Sequence, residues 1–115
     1  MVPEIQLAKR FRMHLWNRHS AATTARVRRL DKATLLLGSD RLNEQQRQQA
    51  VLDAFKLSGS LSTFGAVASS QRALEIGTAF RTPTWVNTVE VARLRSGCLE
   101  LLQSVQQISE TFSRI

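Results

Sequence analysis

From residue 91 onward, apolar side chains recur at alternating intervals of three and four: Val91, Leu94, Cys98, Leu101, Val105, Ile108, Phe112 and Ile115. Only an α-helix brings such positions onto one face, and a 3–4 repeat keeps that seam turned toward a partner helix. The segment predicts a long C-terminal helix that supplies much of a helical core. Gly97 interrupts it at about 1 kcal/mol of helix propensity, but lets a neighbouring helix approach closely. Ser104, Ser109 and Thr111 beside the seam are uncharged, so the ion pairs typical of two-stranded zippers are missing. Leu99 and Leu102 widen the stripe, as in bundle helices. An intramolecular core is the expectation and an intermolecular seam the alternative.

The rest of the chain also reads as helix. A first block runs from Pro3, a favourable first-turn residue, to about Leu37. Within it Leu7, Ala8, Phe11 and Leu15 share one side, whereas Val27, Leu30, Ala33 and Leu37 share a rotated one. That phase slip predicts two helical pieces joined near residues 19–24. Gly38-Ser39-Asp40 supplies a stop, and Asn43 with Gln46 has the spacing of a capping box. A second helix is expected to about Leu57, ended by Ser58-Gly59-Ser60. A third, over 61–80, would carry Leu61, Phe64, Val67 or Ala68, and Leu74. Thr82-Pro83 reads as the cap and first residue of the last helix. Strand signals are nearly absent: there is no tyrosine, no Asn-Gly or Asp-Gly turn and no alternating run. The expectation is an all-α fold, a compact antiparallel helical bundle of about four to five helices in one domain, residues 1–115.

Charge divides this domain. Sixteen Lys and Arg oppose nine Asp and Glu, for a net +7. Residues 1–39 hold Lys9, Arg10, Arg12, Arg18, Arg26, Arg28, Arg29 and Lys32 against only Glu4 and Asp31, while residues 40–115 are nearly neutral. Such asymmetry points to a partner that is itself anionic: nucleic acid, an acidic protein or a lipid surface. No stretch approaches the ~18 apolar residues of a membrane span. The cations at 9, 10 and 12 also break up any apolar leader, so a cytoplasmic protein is expected.

Side chains that carry chemistry are sparse. His14 and His19 stand five apart, about 140° on a continuous helix, and cannot share a metal there. Cys98 lies in the apolar seam, where desolvation disfavours the reactive thiolate. The carboxylates are scattered singly, and no nucleophile, zinc or phosphate-loop motif is present. Neither catalysis nor a cofactor or metal is expected. Residues 65–70 are small and read as a packing surface. Ala73 to Gly77 has the spacing of a helix-turn-helix turn, but Pro83 would fall inside the recognition helix, which argues against that motif.

The basic segment remains. Arg28, Arg29 and Lys32 project opposite Val27, Leu30, Ala33 and Leu37, and arginine's planar fork suits phosphate. Phe11 and Trp16 lie among the cations and could offer a stacking surface, although a core position for Phe11 fits its periodicity better. The favoured reading is a non-enzymatic nucleic-acid-associated accessory or assembly factor. It would hold phosphate backbone, of RNA or DNA, through the eight N-terminal cations with low sequence specificity. Self-association or partner docking would use Trp85, Val89, Phe112 and Ile115. The rival is a protein-binding adaptor, assembly subunit or inhibitor that meets an acidic partner. Peripheral membrane attachment, a third reading, would need Met13 and Trp16 to face lipid.

Overall fold

The computed structural model describes residues 3–81 and 87–113, with side chains from Leu7 onward. They form four helices: α1 (Pro3–Gly38), α2 (Glu44–Thr63), α3 (Val67–Arg81) and α4 (Thr88–Ser113). Side-chain contacts fix their directions. Trp16 meets Ser109 and Thr34 meets Cys98, so α4 runs back along α1. Arg29 reaches Asp53 on α2, Ser58 meets Ser70 on α3, and Arg72 of α3 reaches Glu100. Every neighbouring pair is antiparallel, and the up-down-up-down ring closes where α4 returns to α1.

The α4 seam is the core of this ring. Leu94, Cys98, Leu101, Val105 and Ile108 are buried against Val27 and Leu30 of α1, Ala54, Leu57 and Leu61 of α2, and Ala73, Ile76 and Phe80 of α3. The seam is therefore intramolecular. Its uncharged flanks have a use: Ser109 accepts a hydrogen bond from the Trp16 indole N–H at 3.0 Å, and the Ser104 and Ser69 hydroxyls pair across α3 and α4. Gly97 and Gly77 allow close approach, since a Cβ at either would sit 3.0 Å from the Ile76 Cδ1 and the Ala54 Cβ, respectively.

Three boundaries differ from the sequence reading. α1 is one uninterrupted helix of 36 residues, without the expected join at 19–24. Its inward face is a second 3–4 repeat, Met13, Trp16, Ser20, Thr23, Val27, Leu30, Thr34 and Leu37, three of its eight positions invisible to hydropathy. The buried threonines satisfy themselves, Thr23 donating to the His19 carbonyl at 2.8 Å and Thr34 to that of Leu30 at 3.0 Å. α2 continues through Ser58-Gly59-Ser60 to Thr63, because Ser58 is buried against α3 and exchanges hydrogen bonds with Ser70. α3 consequently begins at Val67, and its buried face is Ser70, Ala73, Ile76, Gly77 and Phe80, leaving Val67 and Leu74 exposed. Of residues 65–70, Gly65 at φ +83° and Ala66 lie in the α2–α3 turn, 67–70 open α3, and only Ser70 is buried.

Caps hold the ends. The Asn43–Gln46 capping box opens α2 as its spacing predicts. Asn87 opens α4, its side-chain oxygen accepting from the Glu90 N–H at 2.8 Å. Thr82-Pro83 lies outside the described residues. Two arginines seal carboxyl ends, Arg12 donating to the Thr63 carbonyl and Arg47 to those of Phe80 and Arg81. α3 passes through Gly77 without a turn, so Ala73–Gly77 is mid-helix and not part of a helix-turn-helix.

Candidate nucleic-acid interface

α1 is longer than the bundle it belongs to. Met13 shares a groove with Ser113, the last described residue of α4, and Arg12 reaches the end of α2 at Thr63. Residues 3–12 therefore run on past the bundle's end for about 15 Å. Every side chain from Leu7 to Arg12 is exposed. The long axis of the molecule, 55 Å, is the length of this one helix.

The first-block apolar set therefore divides differently from the sequence expectation. Leu7 and Phe11 are 63% and 64% exposed, and Ala8 lies open beside them. Phe11 is not a core residue. Trp16, by contrast, is 1% exposed, hydrogen-bonded to Ser109 and stacked edge-on against Phe64 with ring centroids 5.0 Å apart. It can neither stack on a base nor face lipid, which removes the form of membrane attachment that depended on it. Phe112 continues the aromatic cluster through Phe64, centroids 6.1 Å apart, and so closes the end of the bundle instead of lying free as an interface residue. Val89 is 77% exposed. Trp85 and Ile115 lie outside the described residues.

The eight N-terminal cations also separate. At 100° per residue, Arg10, Arg18, Arg28 and Lys32 fall within an arc of about 80° on the outward side of α1, opposite Trp16, Val27 and Leu30. His14 lies in the same arc, exposed, between Arg10 and Arg18. Lys9 and Arg12 point to other sides of the projecting segment, and Arg26 is half-buried. Arg29 is committed elsewhere. Its Nε and Nη2 donate to the two Asp53 oxygens at 3.0 and 2.8 Å, and Asp53 is 1% exposed. That fork raises the Arg29 guanidinium's hold on its proton.

The partners of the other charges sharpen the contrast. Among the described carboxylates, Asp31, Glu44, Asp53, Glu75, Glu90 and Glu100 each pair with an arginine, leaving Asp40 and Glu110. Those arginines, apart from Arg29, all come from residues 47–95. The stripe cations of α1 have no such partner among the described residues. Local pairing thus takes up four of the seven described cations beyond α1, leaving Arg41, Lys56 and Arg81, whereas the stripe on α1 stays unpaired throughout.

Between Arg18 and Arg28 the surface of α1 is low. Ser20, Ala21, Thr24 and Ala25 form one wall of a shallow groove whose other wall includes Ser109, with Arg28 at its end. Comparison with known proteins finds no match, whether among protein families, curated proteins or solved structures. The site is therefore read from its own chemistry. Cys98, buried in the core, has its thiol pushed up to about 11, chiefly by burial, with its contact to the Thr34 hydroxyl acting the other way. It is a packing residue. His14 and His19 are both exposed on α1, on different sides. No helix among the described residues is long and apolar enough to cross a membrane.

Sequence reasoning missed the Arg29–Asp53 pair, because nothing in a lone aspartate's spacing reveals which helix it will face. It also missed the projection of α1, whose only trace was the phase slip.

Proposed function

We propose that this protein is a non-enzymatic nucleic-acid-associated factor that grips phosphate backbone along the outward face of α1. The observation that carries this reading is the segregation of unpaired charge. Arg10, Arg18, Arg28 and Lys32 line one face of a straight helix, while Arg29, Arg47, Arg72, Arg93 and Arg95 are tied to carboxylates. The stripe spans about 33 Å, and steps of four residues repeat every ~6 Å. A backbone of regularly spaced phosphates can follow such a row, and contacts to phosphate alone carry no sequence information. Ala21 and Ala25 let the strand approach the helix closely between the two cationic clusters. Lys9 and Arg12 add to the field at the projecting end. Arg29 does not belong to the grip while Asp53 holds it. The proposal includes self-association of the protein in its working form, with Val89 on the contact surface.

The test is the salt dependence of binding to a labelled oligonucleotide, with light scattering to record the assembly state. Arg10→Gln, Arg18→Gln, Arg28→Gln and Lys32→Gln together should lower the log–log slope by about three to four units. Three charges removed from exposed sites off α1 (Arg41, Lys56 and Arg81) should change it by less than one unit. A slope unaltered by the α1 set overturns the reading and turns the search toward an acidic protein partner.

A further inference from the structure

We infer that the α1 surface selects single-stranded nucleic acid, with the exposed ring of Phe11 stacking on an unpaired base. This rests on the phosphate-binding reading and specifies its ligand. The structure contains an aromatic cluster that satisfies the core, Trp16, Phe64 and Phe112, and Phe11 is outside it. Its ring is 64% exposed on the part of α1 that runs beyond the other helices, where no element of the described chain covers it. Arg10 precedes it, His14 follows one turn later and Arg18 two turns later. Leu7 stands one turn before it on the same side, 63% exposed, an apolar neighbour for the same base or its sugar.

A ring in that setting is badly placed for a duplex, whose base faces are covered by their neighbours in the stack. It is well placed for a strand whose bases can turn outward. Cationic side chains that follow the backbone, together with an aromatic platform for bases, are the combination by which proteins hold single strands without reading sequence. Charge also decides against a second copy of the chain as the occupant of this face. Copies meeting at residues 7–18 would bring Lys9, Arg10, Arg12 and Arg18 of each against the other. An anionic ligand with flat apolar groups satisfies both the charge and the ring.

The experiment compares a labelled single-stranded pyrimidine oligonucleotide with a duplex of equal length, for the parent protein and for Phe11→Ala, Phe11→Leu and Phe11→Trp. Phe11 is exposed on a helix, so each variant should keep the parent's circular dichroism and melting. The expected result is tighter binding of the single strand. Phe11→Ala and Phe11→Leu should weaken it by about 5- to 150-fold, Phe11→Trp should preserve it, and duplex binding should stay unchanged. If Phe11→Leu binds like the parent, the contact is merely apolar and stacking is refuted. If all Phe11 variants bind like the parent while the four-cation variant does not, stacking falls and the phosphate grip stands. Binding of neither oligonucleotide overturns both. Flotation of the protein with anionic vesicles, lost in Phe11→Ala without any change in oligonucleotide binding, would assign the face to lipid and overturn the inference.

Discussion

Replacing Arg29 with methionine should cost more stability than replacing Asp53 with asparagine, although the two residues share one pair of hydrogen bonds. The asymmetry lies in burial: Asp53 is 1% exposed, whereas the Arg29 side chain is 51% exposed. Arg29→Met leaves a carboxylate sealed between α1 and α2 with only the Gln49 amide, 3.2 Å away, to support it. Stranding a buried charge costs about 3–5 kcal/mol, and the low end applies because water can enter where the guanidinium lay. Asp53→Asn keeps the shape and an acceptor for Gln49, and Arg29 can turn into solvent. Its cost should be about 1 kcal/mol. Urea unfolding at neutral pH, followed by far-UV circular dichroism, should separate the two midpoints by about 1 M, given a slope of 1–3 kcal/mol per molar. The double variant Arg29→Met/Asp53→Leu should recover most of the loss. Equal midpoints, or Asp53→Asn the weaker variant, would refute the argument that the carboxylate is the sealed partner. The same Asp53→Asn protein carries a functional readout, because a released Arg29 should add about one unit to the salt slope of nucleic-acid binding.

Two glycines should respond to alanine with opposite signs. Gly59, with nothing within 4 Å of its missing Cβ, should gain about 0.5–1 kcal/mol in Gly59→Ala from helix propensity. Gly77→Ala should lose about 1–2 kcal/mol, since the new methyl would meet the Ala54 Cβ at 3.0 Å and only separating α2 from α3 relieves it. Thermal melts of the two variants check both. Cys98 gives a pH prediction. Its folded value of about 11 lies above the ordinary thiol value, so its contribution is complete below about pH 8.5 and is lost as pH rises toward 11. Urea midpoints measured from pH 8 to 10 should fall for the parent and flatten in Cys98→Ala. A thiol reagent at pH 8 should react at the rate of unfolding, and immediate labelling of the native protein would contradict the burial.

What could be read in the sequence was whatever the core advertised with hydrocarbon. The α4 seam is apolar at every step, so its length, phase and inward orientation were all legible. α1 uses the same repeat, but Ser20, Thr23 and Thr34 stand at seam positions. Their polarity conceals the face, and the backbone bonds of Thr23 and Thr34 make those two suitable for burial. Leu7 and Phe11 misled in the other direction, because apolar residues at helical spacing register as core whether or not anything packs on them. The end of α2 was misread for a related reason. Ser58-Gly59-Ser60 is a stop by local preference, yet the Ser58–Ser70 hydrogen bonds across the hairpin outweigh it. At the candidate site, the gathering of the cations on the first helix was legible. Which of them remain free depended on Asp53, and only the helix pairing reveals that.

The projecting part of α1 has a further consequence, one of cooperativity. A ten-residue helix alone in water hardly forms, because its first turn fixes several dihedrals for a single hydrogen bond. Residues 3–12 need no first turn of their own. They prolong a helix already anchored by Trp16 and Arg12, so each added residue costs only propagation. The arm's order is borrowed from the packed end of the bundle and declines with distance from it. Phe11 and Arg10 sit close to that anchor, where fraying is least, and on the proposed reading would meet their ligand already arranged. A change that loosens the Trp16–Phe64–Phe112 cluster would therefore unwind the arm, and with it the proposed grip, without touching a single cation.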